Sequence, residues 1–424
     1  MTAADRSMAL ALRGLNKLAG SDVLDRVGLR KPVERAVYRG TKSSVRAAGA
    51  ASRTFSAATK LGGPKRLVPR TDRGLFDLQP DDEQQMLREA FSDFAARVIR
   101  PAAGGADIAT AAPKELLDQA AELGLTMLGV PEDLGGAVSE RSAVTTVLIA
   151  EALAHGDMGI AVAALSPAAV GTSLSLWGDA DQQARYLPAL VGDDAPAAAL
   201  AILEPQPLFD PFALRTTAAD GVLNGTKSLV PRAAEAELFV VAAGEQLYLL
   251  ESGAEGVFIE ADPAMGVRAA ATGRLLLQDA RAQPLGTPED YREAVHRARL
   301  AWCAVTVGTA QAVLDYVIPY VNDRVAFGEP ISHRQSVAFA VSNIAIEVEG
   351  MRLATYRAAS LADQGKPFGR ATALARQLCV TKGMFIGSEG LQLLGGHGYT
   401  REYPVERWYR DLRAAGVMEG GLLV

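Results

Sequence analysis

The feature that most restricts what this chain can fold into is a double change in its apolar period. Up to about residue 198 apolar side chains recur at helical spacing, from 199 to 288 they fall into short alternating or continuous runs, and after Pro288 helical spacing returns. Residues 80–100 place Met86, Leu87, Phe91, Phe94, Ala95 and Val98 on one stripe, with Pro80 suited to a first turn and Pro101 predicting the stop. Residues 115–123 predict a second helix closed by Gly124, and a long helix is expected from near Ser139. The runs 199–203, 222–224, 238–242, 247–250, 257–259 and 275–278 are expected to be strands, with Asn224-Gly225 as a hairpin turn. Helices are expected again over 299–324, 343–362 and 371–391. The pattern predicts a mostly α protein with a small β domain between two helical ones. We divide it into a basic N-terminal extension (1–75), an N-terminal helical bundle (76–198), a middle β barrel or sandwich (199–288) and a C-terminal four-helix bundle (289–424).

Composition narrows the function classes. With 424 residues the chain is long enough for two or three packed units. No uninterrupted apolar run of about 18 residues occurs, so no membrane-spanning helix is expected. Four scattered histidines and two cysteines form no ligand cluster, so no metal site is expected. Cys303 and Cys379 read as small buried apolar residues in a reducing, cytoplasmic setting. The charge is uneven: residues 1–75 carry 16 Lys and Arg against 5 Asp and Glu, whereas the rest carry 27 against 44. Such an Arg-rich leader, with Leu12, Leu15 and Leu18 at helical spacing, reads as an organelle-targeting peptide, a helix on an anionic membrane surface, or an arm packed on a neighbouring subunit. Nucleic acid is not an expected partner, because only Tyr38 and Phe55 interleave the basic residues.

Two stretches carry residues suited to chemistry. Near the end, Leu394-Gly395-Gly396-His397-Gly398-Tyr399 precedes Arg410-Asp411 and then Met418-Glu419-Gly420. Three glycines within four residues let backbone approach a phosphate or a ring closely, because no Cβ intervenes. Earlier, Arg324-Val325-Ala326-Phe327-Gly328-Glu329-Pro330-Ile331 precedes Gln335. Arginine suits a phosphate because its planar fork donates to two oxygens at once. Taken one by one, Glu419 and Arg324 are ordinary surface charges and the glycine run an ordinary turn.

In their order and spacing these stretches resemble the acyl-CoA dehydrogenase family, whose domains follow the same helical, β, helical order. The likeness spans the body of the chain, since Val130-Pro131-Glu132-Asp133-Leu134-Gly135-Gly136 and Tyr186-Leu187-Pro188 also fall in the family's sequence of motifs. The resemblance implies FAD-dependent α,β-dehydrogenation of an acyl-CoA thioester in fatty acid or related lipid oxidation. It puts Glu419 at the position of the catalytic base and implies an electron-transfer flavoprotein as electron acceptor. It implies that Arg324, Phe327, Gln335, Gln392, Gly395, Gly396 and the Leu203 backbone contact FAD, with Gln392 and the glycine loop reaching it from a neighbouring subunit. Phe209, Arg299 and Gly420 fall on substrate-side positions, Arg299 on one that can pair with the catalytic carboxylate. A homo- or hetero-oligomer, dimer or tetramer, built through the C-terminal helices is implied as well.

The middle domain departs from the family. Its Thr-Glu-Pro-Gly-Ala-Gly-Ser-Asp is present as Leu203-Glu204-Pro205-Gln206-Pro207-Leu208-Phe209-Asp210, so Phe209 replaces the serine that would bond the substrate's acyl-carrier portion. Pro231 stands where a hydroxyl would contact the flavin, and it offers neither hydroxyl nor N–H. Gly421 stands where a threonine follows the glutamate, in a C-terminal segment shorter than the family's. These departures keep a second reading open: a flavin-poor, weakly active acyl-CoA-binding subunit of a hetero-oligomeric dehydrogenase.

Overall fold

The computed structural model describes residues 80–136, 142–191 and 195–424. The expectations for residues 1–75 lie outside the described residues, as does the helix start expected near Ser139. Helices α1 (Asp82–Phe94), α2 (Arg100–Ala109), α3 (Lys114–Glu122), α4 (Ala143–Gly156), α5 (Met158–Trp177) and α6 (Ala180–Leu190) come first. Asp81 and Gln84 start α1 with a reciprocal capping box. Pro101 does not stop that helix. A π turn over Ala95–Ile99 joins α1 to α2, and Pro101 lies in the first turn of α2, where the wider turn accommodates a residue without an N–H. The single long helix expected further on is two, because Asp157 adopts extended backbone (φ −164°) and caps α5 by accepting the Ile160 N–H at 3.0 Å. Helix α5 is apolar all round, and every residue from Met158 to Leu174 is buried.

Eight strands follow, β1 (Ala198–Ala201), β2 (Thr217–Ala219), β3 (Val222–Val230), β4 (Leu238–Ala243), β5 (Gln246–Glu251), β6 (Val257–Ala261), β7 (Gly273–Arg281) and β8 (Gln283–Leu285). They form two four-stranded sheets, ordered β1-β4-β5-β8 and β2-β3-β7-β6. Only β1 with β4 is parallel among these pairs. The period of two assigns the faces. Ala199, Ala201, Phe239 and Val241 pack against Leu223, Leu275 and Leu277 of the second sheet. Ala198, Leu200, Leu238 and Val240 instead pack on Leu174, Leu187 and Leu190 of the helices. Asn224-Gly225 does not turn the chain. Both residues lie within β3 beside a register shift, and the turn is Asp220-Gly221, both at positive φ (49° and 74°). Apolar period does not reveal β2 and β8, which have three residues each.

The C-terminal part contains α7 (Pro288–Asp323), the short ribbon β9 (Val325–Ala326) and β10 (Glu329–Pro330), then α8 (Gln335–Asp363), α9 (Gly369–Leu394) and the seven-residue α10 (Val405–Asp411). Helix α7 begins at Pro288 rather than Arg299, because Thr287 and Asp290 form a capping box with proline in the first turn. Gly308 lets α7 lie against α4, since a Cβ there would stand 2.1 Å from the Glu151 carbonyl oxygen. That close crossing fixes the helix carrying Arg299 against the N-terminal layer. By length and apolarity α5 and α7 could cross a membrane, but 89% and 78% of their most apolar windows lie inside the fold.

Candidate active site

Glu419 is placed by a strand-like return of the chain. After a 3-10 turn at Ala414–Gly416 the backbone runs antiparallel to the end of β1, with a bridge between Ala201 and Gly420. The Gly421 N–H donates to the Leu200 carbonyl at 2.8 Å, and the Trp302 indole N–H donates to the Gly420 carbonyl at 2.8 Å. Gly420 needs to be glycine: its φ is +75°, and a Cβ would stand 3.0 Å from both Ile202 and the Leu200 carbonyl. These bonds hold the Glu419 side chain inside, 5% exposed, beside two arginines from different helices. Arg299 of α7 donates from Nε to Oε1 (2.9 Å) and Oε2 (3.0 Å) and from Nη2 to Oε1 (2.7 Å). Arg376 of α9 brings Nη2 to 2.9 Å from Oε1 and donates to the Met418 carbonyl at 3.1 Å. Burial pushes the Arg376 guanidinium below its ordinary range, and the charge of Glu419 opposes that shift.

The loop after β1 packs over this centre and is pinned from beneath. Glu204 accepts the Arg215 and Thr216 N–H groups at 2.7 and 2.9 Å and pairs with Lys227 Nζ at 2.8 Å. Burial brings the Lys227 ammonium down to about 8 against the pull of Glu204. Burial opposes the charge on Glu204, but Lys227 and the donors outweigh it and hold its carboxyl low. Removing one member of such a fully buried pair costs about 3–5 kcal/mol, because the other charge is stranded. The Tyr291 hydroxyl donates to the Pro211 carbonyl and closes the other end of the loop. Within it Phe212 lies 5.7 Å beneath the Arg299 guanidinium, and Phe209 is half-buried between the helical core and the sheet–helix core. Leu203 is buried and gives its carbonyl to the Ser228 N–H at 2.9 Å. Pro231 touches the space around Gly421, whose added Cβ would stand 2.9 Å from the proline ring.

The remaining sequence-derived positions form a second, outward-facing group. Arg324 caps the end of α7, and a cleft of about 430 Å³ runs between it, Tyr320, Gln392, Gly395, Gly396 and His397. Arg324 and Gln392 are exposed, and neither side chain has a hydrogen-bond or ion-pair partner among the described residues. Nothing lies within 4 Å of where a Cβ would stand on Gly395 or Gly396, so their backbone borders open space. Phe327 sits with Gly328 at the tip of the β9–β10 hairpin, both at positive φ (54° and 85°), which thrusts the ring out to 97% exposure. Arg334 stacks on that ring at 5.6 Å, next to the exposed Gln335 at the start of α8. The structure therefore brings Glu419, Arg299 and Gly420 together, and Arg324, Gln392, Gly395 and Gly396 together. No hydrogen bond or ion pair among the described residues joins the two groups.

Both groups lie in a part of the chain that matches known proteins. The sequence profile of the acyl-CoA dehydrogenase N-terminal domain matches residues 81–194, and that of the acyl-CoA dehydrogenase C-terminal domain matches residues 290–422. The short-chain specific acyl-CoA dehydrogenase of Mus musculus mitochondria is 31% identical over 360 residues, covering 80% of this chain and 87% of that one. The chain belongs to the acyl-CoA dehydrogenase family. Its fold matches butyryl-CoA dehydrogenase from Megasphaera elsdenii with a TM-score of 0.74 at 26% identity, over 81% of this chain and 95% of that one. A structure from work on the electron transferring flavoprotein of Acidaminococcus fermentans matches with the same TM-score, identity and coverage. Members of this family are flavoprotein oxidoreductases, so FAD is the implied cofactor. The outward-facing group fits it: an unpaired guanidinium, a free amide and open glycine backbone form a donor set suited to phosphate oxygens. Two members of the inner group escaped sequence reasoning, Arg376 and Trp302. The signal was an arginine within the buried stripe Thr372, Ala375, Cys379 and Gly383 of α9, where a charge needs a partner.

Proposed function

We propose that this family member carries out FAD-dependent α,β-dehydrogenation of an acyl-CoA from fatty acid or related lipid oxidation, with Glu419 as the base. The observation that carries this reading is a buried carboxylate, held by Arg299, at the family's catalytic register. Oε1 accepts two hydrogen bonds from Arg299 and stands 2.9 Å from Arg376 Nη2, whereas Oε2 takes only Arg299 Nε at 3.0 Å, so Oε2 is the oxygen open to receive the α-proton. The Glu419 N–H has no acceptor among the described residues and is placed to donate to the thioester carbonyl as charge develops there. FAD, when bound, supplies the acceptor for the hydride leaving the β-carbon. Arg324 and Gln335 would hold its pyrophosphate and Phe327 would lie by its ring, while Gln392, Gly395 and Gly396 would reach it from a neighbouring subunit of a dimer or tetramer. Leu203 would meet it from within the same chain. Electrons would pass to an electron-transfer flavoprotein, a reading supported by the fold match above. The test is enoyl-CoA formation by the full-length protein from saturated acyl-CoAs of graded length, with a dye as terminal acceptor. Product formed with no acyl-CoA in the series would overturn the reading only if the same protein carries FAD, and that combination is the decisive negative.

A second reading, a flavin-poor subunit of a hetero-oligomer, is favoured by Phe209 filling the loop interior and by Pro231 beside Gly421. It predicts a colourless protein that gains activity only with a second dehydrogenase chain. We further propose that the basic extension attaches the protein peripherally to an anionic membrane from the cytoplasm. Deletion of residues 1–70 should then abolish salt-sensitive co-sedimentation with anionic liposomes, and unchanged co-sedimentation removes that proposal.

A further inference from the structure

Arg376 lies 43 residues before Glu419 in the chain and on a different element, yet its guanidinium stands 2.9 Å from the carboxylate. Its side chain is 13% exposed, and its Nη1 is buried without a hydrogen-bond partner. A buried guanidinium with an orphaned N–H is costly, so a residue whose only task was packing on α9 would be apolar. What the charge does have is two contacts on one short segment, the Met418 carbonyl and Glu419 Oε1. Together with Arg299 it makes the two carboxylate oxygens unequal.

We propose that Arg376 is a positioning residue for the base: it pins the Met418–Glu419 segment and Glu419 Oε1, so that Oε2 faces the reaction. The inference rests on the reading of Glu419 as base. The titratable and charged groups facing Glu419 are Arg299, His296 and Tyr291 of α7 and Arg376 of α9, and Cys303 and Cys379 face Arg376. Burial pushes Tyr291 up and away from the acidic side of a pH profile, whereas burial and then Arg299 push His296 down toward it, so a His296 variant is the control that tells the two titrations apart. Removing a cation at 2.9 Å raises the pH needed to ionise a carboxylate. A base works only when ionised, so the acidic limb of activity moves to higher pH.

The experiment follows exchange of the α-hydrogens of a saturated acyl-CoA for deuterium by NMR, on the FAD-loaded full-length protein across pH. Arg376→Gln is expected to move the acidic limb up by about one pH unit or more. Its plateau should fall about tenfold, because misplacing the base costs up to about 10²-fold and the stronger base recovers only part of it. Arg376→Lys should restore the limb and most of the plateau, and His296→Asn should leave the limb where it is. A folded Arg376→Gln protein with the wild-type limb and plateau overturns the proposal, as does one that loses only thermal stability. Should Arg376→Gln not fold, Arg376→Met, which removes the charge without stranding a polar group, is read in the same way. Glu419→Gln separates the two levels: if it leaves exchange intact the base assignment fails, and if it abolishes exchange while Arg376→Gln is unchanged only the present inference fails.

Discussion

Arg324 and Arg299 are both arginines beside candidate chemistry, and their surroundings assign them different tasks. Arg299 is spent on Glu419, whereas Arg324 has no protein partner among the described residues and borders an open cleft. Arg324→Ala should therefore leave the fold intact and weaken FAD retention about 10- to 100-fold, the worth of a charge-assisted phosphate contact. The flavin-to-protein absorbance ratio after gel filtration reads this, and an unchanged ratio removes Arg324 from the cofactor site. Asp411 shows a different use of a buried charge. Its Oδ1 accepts the Val267 N–H at 2.6 Å, its Oδ2 has no partner, and burial followed by the charge of Asp157 pushes it up to about 8. The folded state then binds more protons than the unfolded one between about pH 4 and 8, so this group makes stability fall as pH rises through that window. Asp411→Asn should flatten the slope and raise the melting temperature at pH 8, and a variant with the wild-type slope contradicts the assignment. Glu419, Arg299 and Arg324 were legible because the order of motifs places them one by one along the chain. Arg376 was not, because its meaning comes only from the fold bringing residue 376 to residue 419.

Helix α8 shows what periodicity can and cannot say. Its inward stripe, Ile344, Val348, Met351 and Thr355, follows helical spacing and packs in the core. Its outer face carries a second apolar series, Phe339, Ile346 and Leu353, seven residues apart and 57%, 67% and 39% exposed. In an antiparallel pairing with a second copy about Ile346, Phe339 would face the copy's Leu353, one way in which the C-terminal helices could build the proposed dimer or tetramer. Ile346→Glu should halve or quarter the particle mass in light scattering while leaving the melting temperature of the subunit near its original value. Wild-type protein already monomeric at micromolar concentration, or a variant of unchanged mass, contradicts that surface as the contact. The long helices and six of the strands were legible from apolar period, because burying a face imposes that period on the sequence. The π turn before Pro101, the break at Asp157 and the bulge at Gly225 were not, because each depends on local backbone geometry rather than on apolar spacing.

At the scale of the molecule, a basic extension precedes an acidic body whose two functional groups face different ways. As proposed above, the inner group would hold the base beside Arg299 and Arg376, and the outer group would offer donors to the phosphates of FAD. The oligomer proposed above, with the outer group of one copy serving the inner group of another, would reconcile the two. The middle-domain departures at Phe209 and Pro231 are where that arrangement meets its hardest constraint. The most direct measurement is anaerobic mixing of an acyl-CoA with the full-length wild-type and Glu419→Gln proteins, followed by loss of the flavin absorbance bands. Both proteins are expected to be yellow and to bind the acyl-CoA, and bleaching to slow by about 10²–10⁴-fold in the variant, the range for loss of a general base. Equal bleaching rates with and without the Glu419 carboxylate would contradict Glu419 as the base.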